Sequence, residues 1–184
     1  QSSLSSEEMT GIDDMMLELI DHVELSIRAS LSEKLAVSDR LPEGITNLLI
    51  NDDILVARPL LENGRGVNDG DLIEVIDTQG KDHQLAISNR QSLSEGVTDA
   101  LVEKGTPEVI LNTLQNPGAS MSQDSMNKLV TLSEHATVLQ VPLLNRPELT
   151  KDKAQAMFWW VSNQLRSHIL KHHAIDAEDL DQII

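Results

Sequence analysis

The chain has 184 residues, of which 30 are acidic and 14 basic, giving a formal charge of −16. Such a surplus repels phosphate and disfavours nucleic acid and anionic membrane surfaces, whose binding draws on Lys and Arg. With no cysteine and only 2% aromatic residues, the chain makes no disulfide or thiolate metal site, and its core must be aliphatic, which suits helices packed on helices.

No apolar run approaches a membrane span and no signal peptide opens the chain, so a soluble, cytoplasmic protein is expected. The start at Gln1 and the apolar end at Ile183-Ile184 read as a fragment of a longer polypeptide, or as a start left by processing. Gln1–Ser6 is polar, and Ser5 with Glu8 forms an expected capping box. Apolar residues then recur every three or four positions from Ile12 through Met16, Ile20, Val23, Ile27, Leu31 and Leu35. This periodicity predicts one amphipathic helix over Asp13–Ala36, ended by Asp39-Arg40-Leu41-Pro42.

Four phrases ending in asparagine follow: LLEN at Leu60–Asn63, AISN at Ala86–Asn89, TLQN at Thr113–Asn116 and PLLN at Pro142–Asn145, spaced by 26, 27 and 29 residues. A near-constant period of this size predicts stacked structural repeats. A polar leader and helix fill residues 1–40, an array fills 41–173 and an acidic tail fills 174–184. Units fall near 41–67, 68–93, 94–121, 122–150 and 151–173, each a first helix, a polar break, a second helix and a turn. In the third, Ser94 is the N-cap, Val97, Leu101 and Val102 line one face, and Gly105 is a left-handed stop. Pro107 then opens a second helix that buries Val109, Ile110 and Leu114. Each repeated Asn is placed just past a helix end in the left-handed conformation, and Pro59 and Pro142 should bend or shorten their helices. The other reading of the asparagines is a row of amides facing a ligand groove.

The stretch Ile50–Ser122, with phrases such as Val56-Ala57-Arg58-Pro59 and Asn116-Pro117-Gly118-Ala119, resembles the bacterial helical-repeat family catalogued as domain of unknown function 2336. The likeness continues through Leu139–Thr150 and the next helix. It implies an all-α, HEAT-like or leucine-rich-variant-like α-solenoid in a bacterial cytosolic protein, and it carries over no catalytic residue. Asn63-Gly64-Arg65-Gly66-Val67 departs from the apolar, serine-containing turn of the family and suggests a looser loop.

The motifs that bear on chemistry are few. His168 and His172 stand four apart on a helix, a spacing that lets two imidazoles share a metal, with Asp176, Glu178, Asp179 and Asp181 as further oxygen donors. Core-edge histidines are the plainer reading. Asn68-Asp69-Gly70-Asp71 has the look of a calcium loop without its bidentate twelfth residue, and turn and N-cap chemistry accounts for it. Ser125 and Lys128 match S-x-x-K without its companion elements. No phosphate loop, nucleophile elbow or dinucleotide fingerprint occurs in the sequence.

The aromatic triplet Phe158-Trp159-Trp160 is sharper. On one long helix over Asp152–His173, Met157, Phe158, Val161, Leu165 and Ile169 face one way, and Trp159 and Leu170 face the other with Ala156 and Trp160 beside them. That second apolar face is covered by the tail folding back through Ile175, Leu180 and Ile183, by another copy, or by a foreign protein. The expectation is therefore a right-handed superhelix of four to five helical hairpins without cofactor or enzymatic activity. It serves as a protein-interaction scaffold that uses Trp159, Trp160 and Leu170. A ligand- or metal-sensing regulatory module is the alternative.

Overall fold

The computed structural model describes Ile20, residues 23–173 and Ile175. The expected Ser5–Glu8 capping box, the helix start at Asp13, the tail acids and the fold-back contacts Leu180 and Ile183 lie outside the described residues. Those that are described form eleven α-helices and one 3-10 turn, with no strand among them. None of these helices is long and apolar enough to cross a membrane.

The first helix is α1, Leu25–Leu35. The continuous Asp13–Ala36 helix is not present, because Val23 and Glu24 are non-helical. Arg28 explains the break: its Nη1 donates to the Val23 carbonyl at 2.7 Å and its Nε donates to Asp52 at 2.6 Å. The side chain thus satisfies a carbonyl that a continued helix would have used.

Paired helices follow. Glu43–Ile50 (α2) pairs with Ile54–Asn63 (α3), Asp69–Thr78 (α4) with Lys81–Ser88 (α5), and Glu95–Lys104 (α6) with Pro107–Gln115 (α7). Gln123–Ser133 (α8) is followed by the 3-10 turn Thr137–Leu139 and by Gln140–Leu144 (α9). Lys151–Met157 (α10) and Asn163–His172 (α11) complete the series. Pro142 lies in a helix of only five residues, as a missing N–H should dictate, whereas Pro59 sits inside an uninterrupted α3 of ten.

The caps are local and legible. Ser94 accepts from the Val97 N–H, and Pro107 occupies the first turn of α7. Asn68 and Asp71 form a reciprocal capping box, so the calcium-like loop is a helix start. Gly105 is a correction. Its φ of −69° and ψ of 152° are extended, not left-handed. The glycine is needed there for a different reason: a Cβ would run into the Leu101 carbonyl oxygen and approach Val109 Cγ1 to 2.8 Å. Gly64 and Gly66 likewise mark close packing rather than looseness. A Cβ on Gly64 would meet Val67 Cγ2 at 2.8 Å, and one on Gly66 would meet Leu41 Cγ at 2.8 Å.

Two rows of helices result. The leading helix α1 and the second helices α3, α5, α7 and α9 pack in that order, while α4, α6, α8 and α10 pack in sequence beside them. An aliphatic core runs between the rows. Leu49, Leu61, Ile87, Leu101, Leu114, Leu129 and Leu143 are all fully or nearly fully buried, and so are the expected Val97, Val102, Val109 and Ile110. At the C-terminal end the single helix over Asp152–His173 is not present. It breaks at Phe158–Ser162 into α10 and α11. Ser162 caps the second by accepting from the Leu165 N–H at 3.4 Å, and Arg166 Nε donates to the Phe158 carbonyl at 2.9 Å with its guanidinium 5.3 Å above the Phe158 ring. The two apolar faces expected of one helix therefore belong to two elements and the turn between them.

Candidate functional site

The repeated asparagines end their helices, but not in the left-handed conformation. Asn89 and Asn145 have helical φ and ψ of −85°, −4° and −93°, −1°, Asn116 is extended at −73°, 113°, and Asn63 is the last residue of α3. The left-handed turn is dispensable because each helix's orphan carbonyls receive donors from the next helix pair. Arg90 donates to the carbonyls of Leu60, Leu61 and Gly64 at 3.2, 2.8 and 2.8 Å. Asn116 Nδ2 donates to those of Ser88 and Arg90 at 2.9 and 2.8 Å, while its Oδ1 accepts from the Gly118 N–H at 2.8 Å. Arg146 donates to Asn116 at 2.9 Å and also to Ala119. His173 Nε2 lies 3.3 Å from the Leu144 carbonyl oxygen. A cation or amide near a helix C-terminus also meets the negative end of the macrodipole.

Burial acts on these groups. Desolvation lowers the Arg90 pKa without removing its charge. At Glu148 burial opposes ionisation, but hydrogen bonds from Arg146, at 2.6 and 3.1 Å, hold the carboxyl below the usual carboxylate range. Asp52 is held low in the same way by Arg28 against its own burial.

The same ends of the second helices line concave surface. A groove of about 570 Å³ lies between α1, α3 and the turn after α5, lined by Glu33, Glu62, Asn63, Arg65 and Arg90 among others. A smaller one of about 180 Å³ shares Glu62 and continues across α5 to α7 past Arg58, Asp82, Leu85, Asn89 and Asn112. The side chains are cross-linked beneath it. Asn112 Nδ2 donates to Asn89 Oδ1 at 2.8 Å and to Ser88 Oγ at 2.7 Å, and Asn89 Nδ2 lies 3.5 Å from Glu62. A third cleft, of about 500 Å³, lies between α7 and α9, with Val141 and Asn145 in its lining. Val141, in that lining, is 51% exposed, and Leu55, near the start of α3, is 61% exposed. Three of the four repeated asparagines thus line grooves, and Asn116 is turned to backbone.

The residues singled out from sequence are dispersed. Trp159 is 47% exposed in the turn and stands edge-on to Phe158, while Leu170 is 39% exposed on α11. Trp160 packs against the core, and its Nε1 donates to Ser133 Oγ at 3.3 Å. His168 and His172 are stacked, with ring centroids 4.3 Å apart. Among the described residues no group of three His, Cys, Asp or Glu side chains converges as a metal site. Ser125 and Lys128 do not meet either. Ser125 Oγ donates to Asp99 at 2.5 Å and Lys128 pairs with Glu103 at 2.5 Å.

A family profile described as an uncharacterised protein conserved in bacteria, domain of unknown function 2336, matches residues 56–184. The chain belongs to this family. The domain of unknown function 2336 begins inside α3 and takes in Arg90, Asn116, Arg146 and the grooves between α3 and α9, while α1 and α2 precede it. No curated protein and no solved structure matches the chain. Nothing in the local sequence singles out Arg90 and Arg146, which tie one helix pair to the one before, although Asn89-Arg90 and Asn145-Arg146 repeat the same dipeptide.

Proposed function

We propose that this chain is a non-enzymatic protein-interaction scaffold of the bacterial cytoplasm, built as a HEAT-like α-solenoid. The observation that carries the reading is the row of second helices. Consecutive helix pairs are locked by side chains that reach back 26 to 30 residues, and the locked row is grooved, with exposed Val141 lining the cleft between α7 and α9 and exposed Leu55 near the start of α3. Stacked repeats of this kind commonly bind along an extended surface. Exposed Leu55 and Val141 would supply apolar contact points for such a partner.

No arrangement of nucleophile, base and oxyanion donors emerges among the described residues. Ser125 is tied to a carboxylate and the histidines are stacked on one another. A binding role accounts for these observations with fewer assumptions than catalysis. Trp159 and Leu170 form a smaller candidate contact at the far end of the row, on separate elements.

The test is affinity capture from bacterial lysate, quantified by mass spectrometry, with wild type, Leu55→Asp/Val141→Asp and Trp159→Ser. All altered side chains are about half exposed or more, so folded variants are expected. Partners lost specifically with Leu55→Asp/Val141→Asp support the reading. An identical captured set in all three overturns it.

A further inference from the structure

We propose that Asn63 is a site of spontaneous modification, its side-chain amide being lost to attack by the Gly64 main-chain nitrogen, and that Arg90 is the lock that sets the rate. The inference goes beyond the scaffold reading and does not depend on it. In this reaction the Gly64 nitrogen gives up its proton and bonds to Asn63 Cγ. The Cγ–Nδ2 bond breaks, and Nδ2 leaves with that proton as ammonia. Water then opens the five-membered imide at either carbonyl, giving aspartate or isoaspartate.

The chemistry selects the residue. It needs a free side-chain amide and an unhindered nitrogen on the next residue, which a glycine without a Cβ provides. Asn63 is the only asparagine in the sequence followed by glycine. It is exposed and has no side-chain partner among the described residues. Every other asparagine lacks one of these conditions. Asn127, Asn145 and Asn163 are exposed, but Lys128, Arg146 and Gln164 follow them and crowd the nitrogen. Asn116 precedes Pro117, which has no N–H, and both ends of its amide are bonded. Asn89 and Asn112 bond each other, as do Asn47 and Asn51, and Asn68 caps α4.

The fold holds the reaction in check at one point. The Gly64 N–H donates to the Leu60 carbonyl at 2.8 Å, so the nitrogen must leave this bond before it attacks. The bond lies at the very end of α3, and helix ends open more readily than the core. Arg90 braces it. Its guanidinium donates to the carbonyls of Leu60, Leu61 and Gly64 at 3.2, 2.8 and 2.8 Å, on both sides of the Asn63–Gly64 peptide. Without that fork the turn opens while the rest of the row stays folded.

The products alter the groove beside α1, whose lining includes Asn63 with Glu62, Arg65 and Arg90. Either product adds a negative charge at the C-terminal end of α3, where the macrodipole disfavours it. Isoaspartate also lengthens the main chain by one carbon ahead of Gly64. That turn is packed so closely that a Cβ on Gly64 would meet Val67 Cγ2 at 2.8 Å, so the longer chain loosens it.

The experiment incubates the full chain in warm, mildly alkaline buffer and follows each asparagine by peptide mass mapping, with electron-capture fragmentation to tell aspartate from isoaspartate. Asn63 should gain one mass unit at least tenfold faster than any other asparagine, with both products present. Asn63→Gln should remove this fastest phase from the intact mass. Arg90→Met should accelerate conversion severalfold at a temperature where circular dichroism shows it folded. Arg90→Lys keeps the charge and loses the fork, and supplies the same test should Arg90→Met not fold. Conversion at Asn63 no faster than at exposed Asn127 overturns the proposal. So does an unchanged rate in the folded Arg90 variant, since the turn is then not held by that side chain. Neither result bears on the scaffold reading, which lysate capture tests separately.

Discussion

Arg146 Nη1 donates to the main-chain carbonyl of Asn116 at 2.9 Å, joining the third helix end to the fourth across 30 residues. The Arg146 side chain is 7% exposed, and Glu148 holds its guanidinium on the other side at 2.6 Å. Removing it leaves a carboxylate and two carbonyls short of donors, and breaking a buried pair from one side costs about 3–5 kcal/mol. Glu148 keeps some solvent contact, so Arg146→Met should cost about 2–3 kcal/mol in denaturant unfolding. Arg146→Met/Glu148→Gln should recover part of that loss. Strict additivity of the two single changes would show that the pair does not act as a unit.

The asparagines should separate by role. Asn116→Ala removes three side-chain hydrogen bonds, two of them to the preceding helix pair. A loss of about 2 kcal/mol is expected, from carbonyls left without donors. Asn63→Ala, exposed and without a side-chain partner among the described residues, should change stability by less than about 0.5 kcal/mol. Equal melting shifts for the two would deny the distinction.

Much of this organisation was written in the sequence in local terms. Ser94, Pro107 and the Asn68–Asp71 box act on residues within a turn of themselves, so their chemistry can be read without the fold. The apolar stripes of α6 and α7 were legible for the same reason. What escaped depends on partners far along the chain. Arg28 breaks the first helix through Val23 and Asp52, and Arg166 secures the break after α10 through Phe158 and Trp159. A helical wheel assumes continuity and therefore placed Trp159 and Leu170 on one face. The asparagine period marked the helix ends, but the left-handed conformation was inferred from a local habit that inter-pair donors make unnecessary.

The glycines offer a sharper contrast. A Cβ on Gly118 would overlap the Gln91 carbonyl oxygen, at the point where the Leu93 N–H donates to the Gly118 carbonyl and the Ser120 N–H to that of Leu93, each at 3.0 Å. Gly118→Ala must push two turns apart and should cost about 2 kcal/mol or more, as overpacking does. At Gly96, on the first turn of α6, the nearest atom to a Cβ is 3.9 Å away. Gly96→Ala should stabilise by about 0.5–1 kcal/mol, because alanine loses less backbone entropy in a helix. Thermal midpoints moving in the same direction would contradict this account.

Acid should act in two separate windows. Burial lowers the His168 pKa, and the charges of His172 and His173 lower it further. A base lowered on folding binds fewer protons folded than unfolded, so stability falls as pH drops through the unfolded value of about 6.5. The loss should be complete once the lower folded value is passed. It should appear first in α11, as faster amide exchange there when pH goes from 7.5 to 5.5, and His168→Gln should suppress part of it. Asp52 and Glu148 are lowered acids, so their stabilisation is present above the unfolded carboxylate values of about 4 and disappears below them. A melt of the whole chain should therefore show a second, steeper decline under pH 4, reduced in Arg146→Met/Glu148→Gln. One single decline, unchanged by either variant, would mean that neither the histidine stack nor the Arg146–Glu148 pair governs the response to acid.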